Sequence, residues 1–100
     1  MKPFKIENAA ERELFDAALF YNTKEPGLGG DFYNSVDEGI NSIRKNPLIW
    51  RKIHGRIRRY FLHSFPYSLI YFYDNRCVTI VAVMHHSRKP LYWVDRVSDK

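Results

Sequence analysis

Apolar runs between residues 56 and 84 predict the sheet around which the rest of the chain is organised. Residues 56–73 predict two antiparallel strands, interrupted at 64–66. Residues 77–84 are a nearly continuous apolar run, which is typical of a central strand. The two-residue turn before this run is predicted at 74–75, because Asp and Asn both tolerate positive φ.

The N-terminal residues predict one more strand, at an edge of this sheet. Phe4 and Ile6 lie two residues apart, which is the strand period. Pro3 precedes them and has no N–H to donate to a neighbouring strand. Residues 2–7 therefore predict a brief edge strand.

Two amphipathic helices follow. The first begins at Asn8, with Glu11 three residues later in a capping-box arrangement, and ends before the Pro-Gly pair at 26–27. Its buried stripe comprises Ala10, Leu14, Ala17, Ala18 and Tyr21. The second helix covers about 31–45, and Gly39 beside its apolar face permits close packing on the first helix or on the sheet. That face comprises Phe32, Val36, Ile40 and Ile43.

The remaining segments are interpreted as connectors and a tail. The glycine-rich residues 26–30 match no phosphate-loop spacing and predict a tight turn, and residues 48–55 predict a linker. Residues 90–100 fit either a short helix or an extended segment. The order β-α-α-β-β-β predicts a single α+β domain over residues 1–100, with a helical hairpin packed on a mostly antiparallel four-stranded sheet.

Charge is divided unequally along the chain. Residues 1–50 contain 6 Lys/Arg and 8 Asp/Glu, a net charge of −2, whereas residues 51–100 contain 10 and 3, a net charge of +7. This asymmetry indicates a polyanionic partner, the alternative being a solvated basic face without one. The single cysteine, Cys77, excludes an internal disulfide, and no apolar run is long enough to span a membrane. We therefore expect a cytoplasmic protein without membrane contact.

The candidate chemistry is a cationic cluster rather than a metal site. No metal-ligand spacing occurs, and the adjacent His85 and His86 point to opposite faces of a strand, so we expect neither metal nor cofactor. The cluster comprises Arg56, Arg58, Arg59 and His63 on the first hairpin and His85, His86, Arg88, Lys89 and Tyr92 after the last strand. Arginines that hold phosphate and histidines that transfer protons are the parts of metal-free RNA cleavage, although a basic sheet rim is more often a docking surface.

The chain resembles the RelE/ParE superfamily of toxins from bacterial type II toxin–antitoxin modules. The sheet motifs that carry the resemblance are Arg58-Arg59-(x)5-Phe65-Pro66-Tyr67-(x)3-Tyr71 and Val83-Met84-His85-(x)2-Arg88-(x)-Pro90-(x)2-Trp93. The hairpin motifs are Ala17-(x)3-Tyr21, Pro26-Gly27-Leu28-Gly29, Phe32 and Asn46-Pro47. The resemblance implies a toxin that a cognate antitoxin neutralises by wrapping its C-terminal segment around it. It also implies that operator DNA is contacted only through the toxin–antitoxin complex.

The superfamily divides by mechanism. ParE-like members inhibit DNA gyrase, whereas RelE-like members cleave mRNA on the ribosome. Compared with the RelE pattern, Arg59 and Tyr92 match, Phe61 and Ser68 stand where basic residues are expected, and His86 replaces an arginine. We therefore favour a gyrase-binding toxin of the ParE-like branch. The alternatives are a metal-independent, ribosome-dependent mRNA endonuclease and an inactive toxin that persists as an antitoxin-binding partner.

Each hypothesis selects its own site residues. For the endonuclease, the catalytic candidates are Arg59, His85, His86 and Tyr92. For a binding toxin, the candidates are Arg56, Arg58, Arg59, His63, Arg88, Lys89 and Trp93.

Overall fold

The computed structural model describes residues 1–97, which form two helices, five strands and a short 3₁₀ helix. In chain order these are β1 (Phe4–Ile6), α1 (Asn8–Lys24), α2 (Leu28–Lys45), β2 (Arg51–His54), β3 (Ile57–Phe61), β4 (Tyr67–Asp74), β5 (Cys77–His85) and the 3₁₀ helix (Val94–Val97). The strands form one sheet in the order β1-β5-β4-β3-β2. β1 runs parallel to β5, and the other neighbours are antiparallel. The predicted α+β class, a helical hairpin on a mostly antiparallel sheet, is confirmed.

The predicted strand count of four is wrong for the described residues, because β2 lies in the segment predicted to be a linker. Three of its four side chains are exposed, and Ile53 is only half-buried. The alternation that marks a half-buried strand is therefore missing. The pairing of β2 with β3 is also irregular, with a register shift between Lys52 and His54. A short, charged and bulged edge strand of this kind resists pairing with other chains.

α1 begins at Asn8 as predicted, but its N-cap and the start of α2 differ from the prediction. The N-cap of α1 is Glu7, whose carbonyl accepts the N–H of Glu11 at 2.9 Å without a side-chain cap, so the predicted capping box is absent. α2 begins at Leu28 instead of Asp31, and its N-cap Gly27 has φ 92°. Gly29 lies against α1, where an added Cβ would sit 2.5 Å from the Ala18 carbonyl oxygen. Gly27 therefore caps the start of α2, and Gly29 allows the two helices to touch.

Two apolar cores lie on the two faces of the sheet. The helix-side core contains the predicted stripes of both helices together with Tyr60, Leu62, Leu69, Tyr71, Val78, Ile80 and Val83. Gly39 packs on the sheet, since an added Cβ would lie 2.9 Å from Tyr60 Cε1 and 3.0 Å from Leu69 Cδ1. The second core lies on the opposite face, called here the outer face, and comprises Ile57, Ile70, Phe72, Val81, Ala82, Met84, Trp93 and Val97. Both faces of β4 are thus buried.

The hairpin between β4 and β5 turns one residue later than predicted. Asp74 pairs with Cys77, and the turn residues Asn75 and Arg76 have φ of 51° and 62°. Farther along, the register shifts opposite Ile70 and Tyr71, and the neighbouring Val81 and Ala82 both belong to the outer-face core. This bulge interrupts the alternation of β5 at its centre.

The C-terminal segment folds back over the outer face. Trp93 is fully buried there, and Val97 in the 3₁₀ helix is 4% exposed. The tail predicted over residues 90–100 thus contains a short 3₁₀ helix, while its last three residues lie outside the described part. Neither helix within residues 1–97 is long and apolar enough to cross a membrane.

Candidate binding face and edge clamp

Strand pairing places several of the predicted site residues on the outer face. Arg59 lies directly opposite Ile70, and Arg51 lies opposite Arg59, so all three side chains share this face. Ser68 pairs with Phe61 and with Met84, and therefore also points outward. These residues therefore share the outer face with the core that includes Trp93 and Val97.

The buried hydroxyl of Ser68 connects two of the catalytic candidates, Arg59 and His86. Ser68 is fully buried, and its Oγ accepts the Arg59 Nε–H at 2.9 Å and lies 3.0 Å from His86 Nε2. The Phe61 ring, 58% exposed, contacts the His86 ring with centroids 5.2 Å apart and lies 4.3 Å from the Arg59 guanidinium carbon. We call Arg59, Phe61, Ser68 and His86 the outer-face cluster.

The cluster favours a neutral imidazole. Burial and the nearby Arg59 charge lower the pKa of His86 below its ordinary value. Burial also lowers the pKa of Arg59, although not enough for an arginine to lose its charge. The hydrogen bond of 3.0 Å between Ser68 Oγ and His86 Nε2 engages that ring nitrogen.

Cations face each other across the two strands at this edge. Arg51 pairs with Arg59 and Lys52 with Arg58 in consecutive register positions. Like charges directly opposite each other destabilise a sheet. Arg58 Nη1 donates to the Leu48 carbonyl at 2.9 Å and to the Trp50 carbonyl at 2.8 Å, which ties down the chain before β2. Arg51 and Lys52 are exposed and add positive charge at the edge.

A second polar cluster closes the opposite side of the sheet. Glu13 of α1 accepts the Val83 N–H at 3.0 Å, the Tyr92 hydroxyl at 2.5 Å and the Arg96 guanidinium at 3.0 and 3.1 Å. Arg96 Nη1 also donates to the Val81 carbonyl at 2.9 Å. β1 covers β5 only as far as Ile80. We call Glu13, Tyr92 and Arg96 the edge clamp. Glu13 and Arg96 supply hydrogen-bond partners to the β5 backbone beyond the end of β1, and Tyr92 donates to Glu13.

The hydroxyl of Tyr92, a catalytic candidate for RNA cleavage, is engaged within the edge clamp. Burial, followed by the hydrogen bond to Glu13, raises the pKa of Tyr92 well above its ordinary value. The hydrogen bond to Glu13 also raises the pKa of Arg96. The clamp is consequently a structural ion pair with a tyrosine that keeps its proton.

The structure distributes the other predicted site residues around the sheet. His85 lies on the helix side, where its ring is 5.0 Å from the Tyr67 ring and its Nδ1 accepts the Ser87 N–H at 2.9 Å. The opposite orientation of His85 and His86 agrees with the prediction. Arg56 forms an ion pair of 3.0 Å with Asp74.

The remaining candidates are either buried or lie apart from the outer-face cluster; they are His63, Arg88, Lys89 and Trp93. The His63 ring is 6.4 Å from the Tyr60 ring in the helix-side core. Arg88 lies 3.9 Å above the Tyr92 ring, and Lys89 is exposed in the loop after β5. Trp93 is fully buried, so its ring serves the second core.

Sequence reasoning missed Glu13, Arg96 and Ser68 as parts of these clusters, and Arg51 as the cation opposite Arg59. Glu13 gave a weak signal, because it lies three residues after Ala10 and hence at the border of the buried stripe. No local pattern indicated a role for Ser68. The comparison with the RelE pattern shows only that a serine stands where a basic residue is expected. Within residues 1–97, no three His, Cys, Asp or Glu side chains are grouped so that they could hold a metal ion.

A helical hairpin on a mostly antiparallel sheet is the architecture predicted from the sequence. The family described as the ParE toxin of the type II toxin–antitoxin system parDE matches residues 4–90, and the chain belongs to this family. Its fold is similar to that of a solved chain from the chromosomal ParDE toxin–antitoxin system of P. aeruginosa, with a TM-score of 0.74. The two are 16% identical, and the match covers 85% of this chain and 96% of the other. Comparison with curated protein sequences gives no match.

Proposed function

We propose that this chain is a toxin that arrests growth by binding DNA gyrase without catalysing a reaction, and that a cognate antitoxin neutralises it in the cytoplasm. Membership of the ParE family supports the choice of gyrase. In this proposal the outer face of the sheet, with Arg51, Arg59 and Phe61, is the surface that contacts the target.

The observation that carries the proposal is the placement of like charges at paired positions of β2 and β3. Arg51 against Arg59 and Lys52 against Arg58 cost stability in the free protein. An acidic surface brought against this edge relieves that repulsion. Phe61 supplies an exposed aromatic ring beside the cations, and aromatic and arginine side chains often dominate binding energy at interfaces.

The positive charges of the basic half of the chain also favour binding of an acidic antitoxin segment. We propose that an acidic antitoxin segment lies across the basic half of the chain, which has a net charge of +7 over residues 51–100. The bound antitoxin covers the target surface, so antitoxin and gyrase compete for it. Operator DNA is then contacted only through the antitoxin in the complex.

The state of the candidate acids and bases supports binding rather than cleavage. A general acid or base must reach the reacting group and exchange a proton with it. His86 Nε2 is engaged by Ser68, and the Tyr92 hydroxyl donates to Glu13. In the mRNA endonuclease alternative, Arg59, His86 and Tyr92 would have to leave these contacts to act together.

Induced expression without antitoxin tests the proposal. We expect intact cellular transcripts by primer extension and relaxed or cleaved plasmid DNA in the same cells. Codon-phased mRNA ends with normal supercoiling would contradict the gyrase proposal and support the endonuclease. Normal growth with neither change would mean that the toxin is inactive.

Variants separate the two mechanisms further. Arg51→Glu should abolish the supercoiling effect, whereas Lys5→Glu, an equally exposed cation on the other edge strand, should not. His86→Ala and Tyr92→Phe should remain toxic while keeping antitoxin affinity. Loss of toxicity in both, with unchanged binding to gyrase and antitoxin, would overturn a purely binding mechanism.

A further inference from the structure

The helical hairpin exposes an apolar patch on its outer side, away from the sheet. Phe15 is 54% exposed, Leu19 is 52% exposed and Tyr33 from α2 is 38% exposed. Beside them lies a shallow trough of about 260 Å³, lined also by Ala18, Asn22, Gly29 and Gly30. The buried stripe of α1 uses other positions, so this second stripe has no role in either core. Contiguous exposed apolar side chains of this kind mark interaction surfaces.

Gly30 is a second, independent observation at the same place. It lies in the first turns of α2, is exposed, and its φ is not in the positive range. An added Cβ would meet no atom within 4 Å. Neither internal packing nor backbone conformation requires glycine here, although glycine is a poor helix former. A residue without a side chain leaves this surface open to close approach by another molecule.

We propose that this patch pairs with the same patch of a second copy of the chain, around a twofold axis. A twofold interface requires a surface that complements itself. Phe15 is a projecting knob, and the trough over Gly29 and Gly30 is a hole of matching character on the same surface. With α1 antiparallel to its mate and the axis between Ala18 and Leu19, Phe15 of each copy faces Asn22 and the glycine trough of the other.

The charges at the rim fit this arrangement. The same axis places Arg12 of one copy opposite Glu25 of the other, and both residues are exposed. Each contact therefore occurs twice with opposite charges facing each other. The acidic antitoxin segment proposed above would instead prefer the cations Arg51 and Arg59 on the other side of the sheet. The dimer is independent of the proposed function, since it uses neither the outer-face cluster nor the edge clamp.

Sedimentation equilibrium of the purified full chain tests the pairing. We expect a monomer–dimer equilibrium with a dissociation constant on the order of 10 µM, since the patch is small. Phe15→Glu should weaken it by more than about tenfold. Phe61→Glu is the matched control, because Phe61 is exposed to a similar extent, 58% against 54%, but lies on the outer face. A wild-type chain that stays monomeric at every concentration, or equal effects of both variants, would overturn the proposal.

Two further variants locate the contact. Gly30→Gln should not lower the melting temperature, since the site is open, yet it should abolish dimerisation by filling the trough. In a Cys77→Ser background, Leu19→Cys should form a disulfide-linked dimer under mild oxidation, whereas Phe61→Cys should not. Failure of Leu19→Cys to crosslink, or protection of this patch by added antitoxin instead of by a second copy, would overturn the pairing and leave the gyrase proposal untouched.

Discussion

Glu13 and Arg96, 83 residues apart, form a bidentate ion pair across the edge of the sheet, with N–O distances of 3.0 and 3.1 Å. The same carboxylate accepts the Val83 N–H, and the same guanidinium donates to the Val81 carbonyl. The pair therefore replaces the neighbouring strand that β5 lacks beyond β1. It also fastens the C-terminal segment, which covers the second core.

Removal of the Glu13 carboxylate should destabilise the fold. Glu13→Ala leaves the Val83 N–H, the Tyr92 hydroxyl and the Arg96 guanidinium without their common acceptor. Because unsatisfied groups that are partly buried each carry a desolvation cost, we expect the free energy of unfolding to fall by about 2 kcal/mol or more. Urea denaturation followed by far-ultraviolet circular dichroism measures this change.

Asp16→Ala is the matched control for Glu13→Ala. Asp16 is an exposed carboxylate one turn later on the same helix. Surface substitutions of this kind change the free energy of unfolding by less than about 0.5 kcal/mol. Similar losses in the two variants would mean that the edge clamp contributes no more than an ordinary surface charge.

The sequence predicted those parts of the fold that depend on local periodicity. The stripes containing Leu14 and Val36 define the helices, and the apolar run before His85 defines the central strand. Strand β2 was not predicted, because an edge strand with exposed side chains has no periodic pattern of apolar residues. The turn was misplaced by one residue because Asp74 and Asn75 both tolerate positive φ, and only strand pairing decides between them.

The candidate site was less predictable, because its contacts join residues that are distant in sequence. Charge and spacing indicated Arg59 and His86, and their approach follows from the pairing of β3, β4 and β5. The role of Ser68 depends on its complete burial between them, which no local pattern reveals. Tyr92 is not free to act as a general acid because its hydroxyl donates to Glu13, a residue distant in sequence.

The two helical glycines next to each other should respond in opposite ways to alanine. At Gly29 an added Cβ would lie 2.5 Å from the Ala18 carbonyl oxygen, which is backbone and cannot move aside easily. We expect Gly29→Ala to lower the free energy of unfolding by about 1 to 3 kcal/mol. At Gly30 nothing lies within 4 Å. There alanine should raise the free energy of unfolding by up to about 1 kcal/mol.

Urea denaturation of both glycine variants, at concentrations low enough to keep the chain monomeric, checks this contrast. Each variant adds the same methyl group to the same turn of α2, so differences in helix propensity largely cancel. A stabilising effect of Gly29→Ala, or equal effects at the two positions, would contradict the close approach of α1 and α2.

The imidazole of His86 should titrate below the ordinary range. Burial and then the Arg59 charge disfavour the protonated ring, and His85 adds to the effect. The folded-state pKa is therefore below the unfolded-state value, and the unfolded chain binds more protons between them. It follows that the free energy of unfolding rises with pH through this interval and falls again as the solution is acidified.

Nuclear magnetic resonance titration of the His86 ring provides the direct measurement, with a midpoint expected below about 6.5. Arg59→Gln should raise this midpoint, because it removes a nearby positive charge. Arg56→Gln is the control, since Arg56 pairs with Asp74 and should leave the midpoint unchanged. In denaturation experiments between about pH 8 and about pH 5, His86→Gln should lose less stability than the wild type. A midpoint at or above the ordinary value would show that burial and Arg59 do not hold the ring in its neutral form.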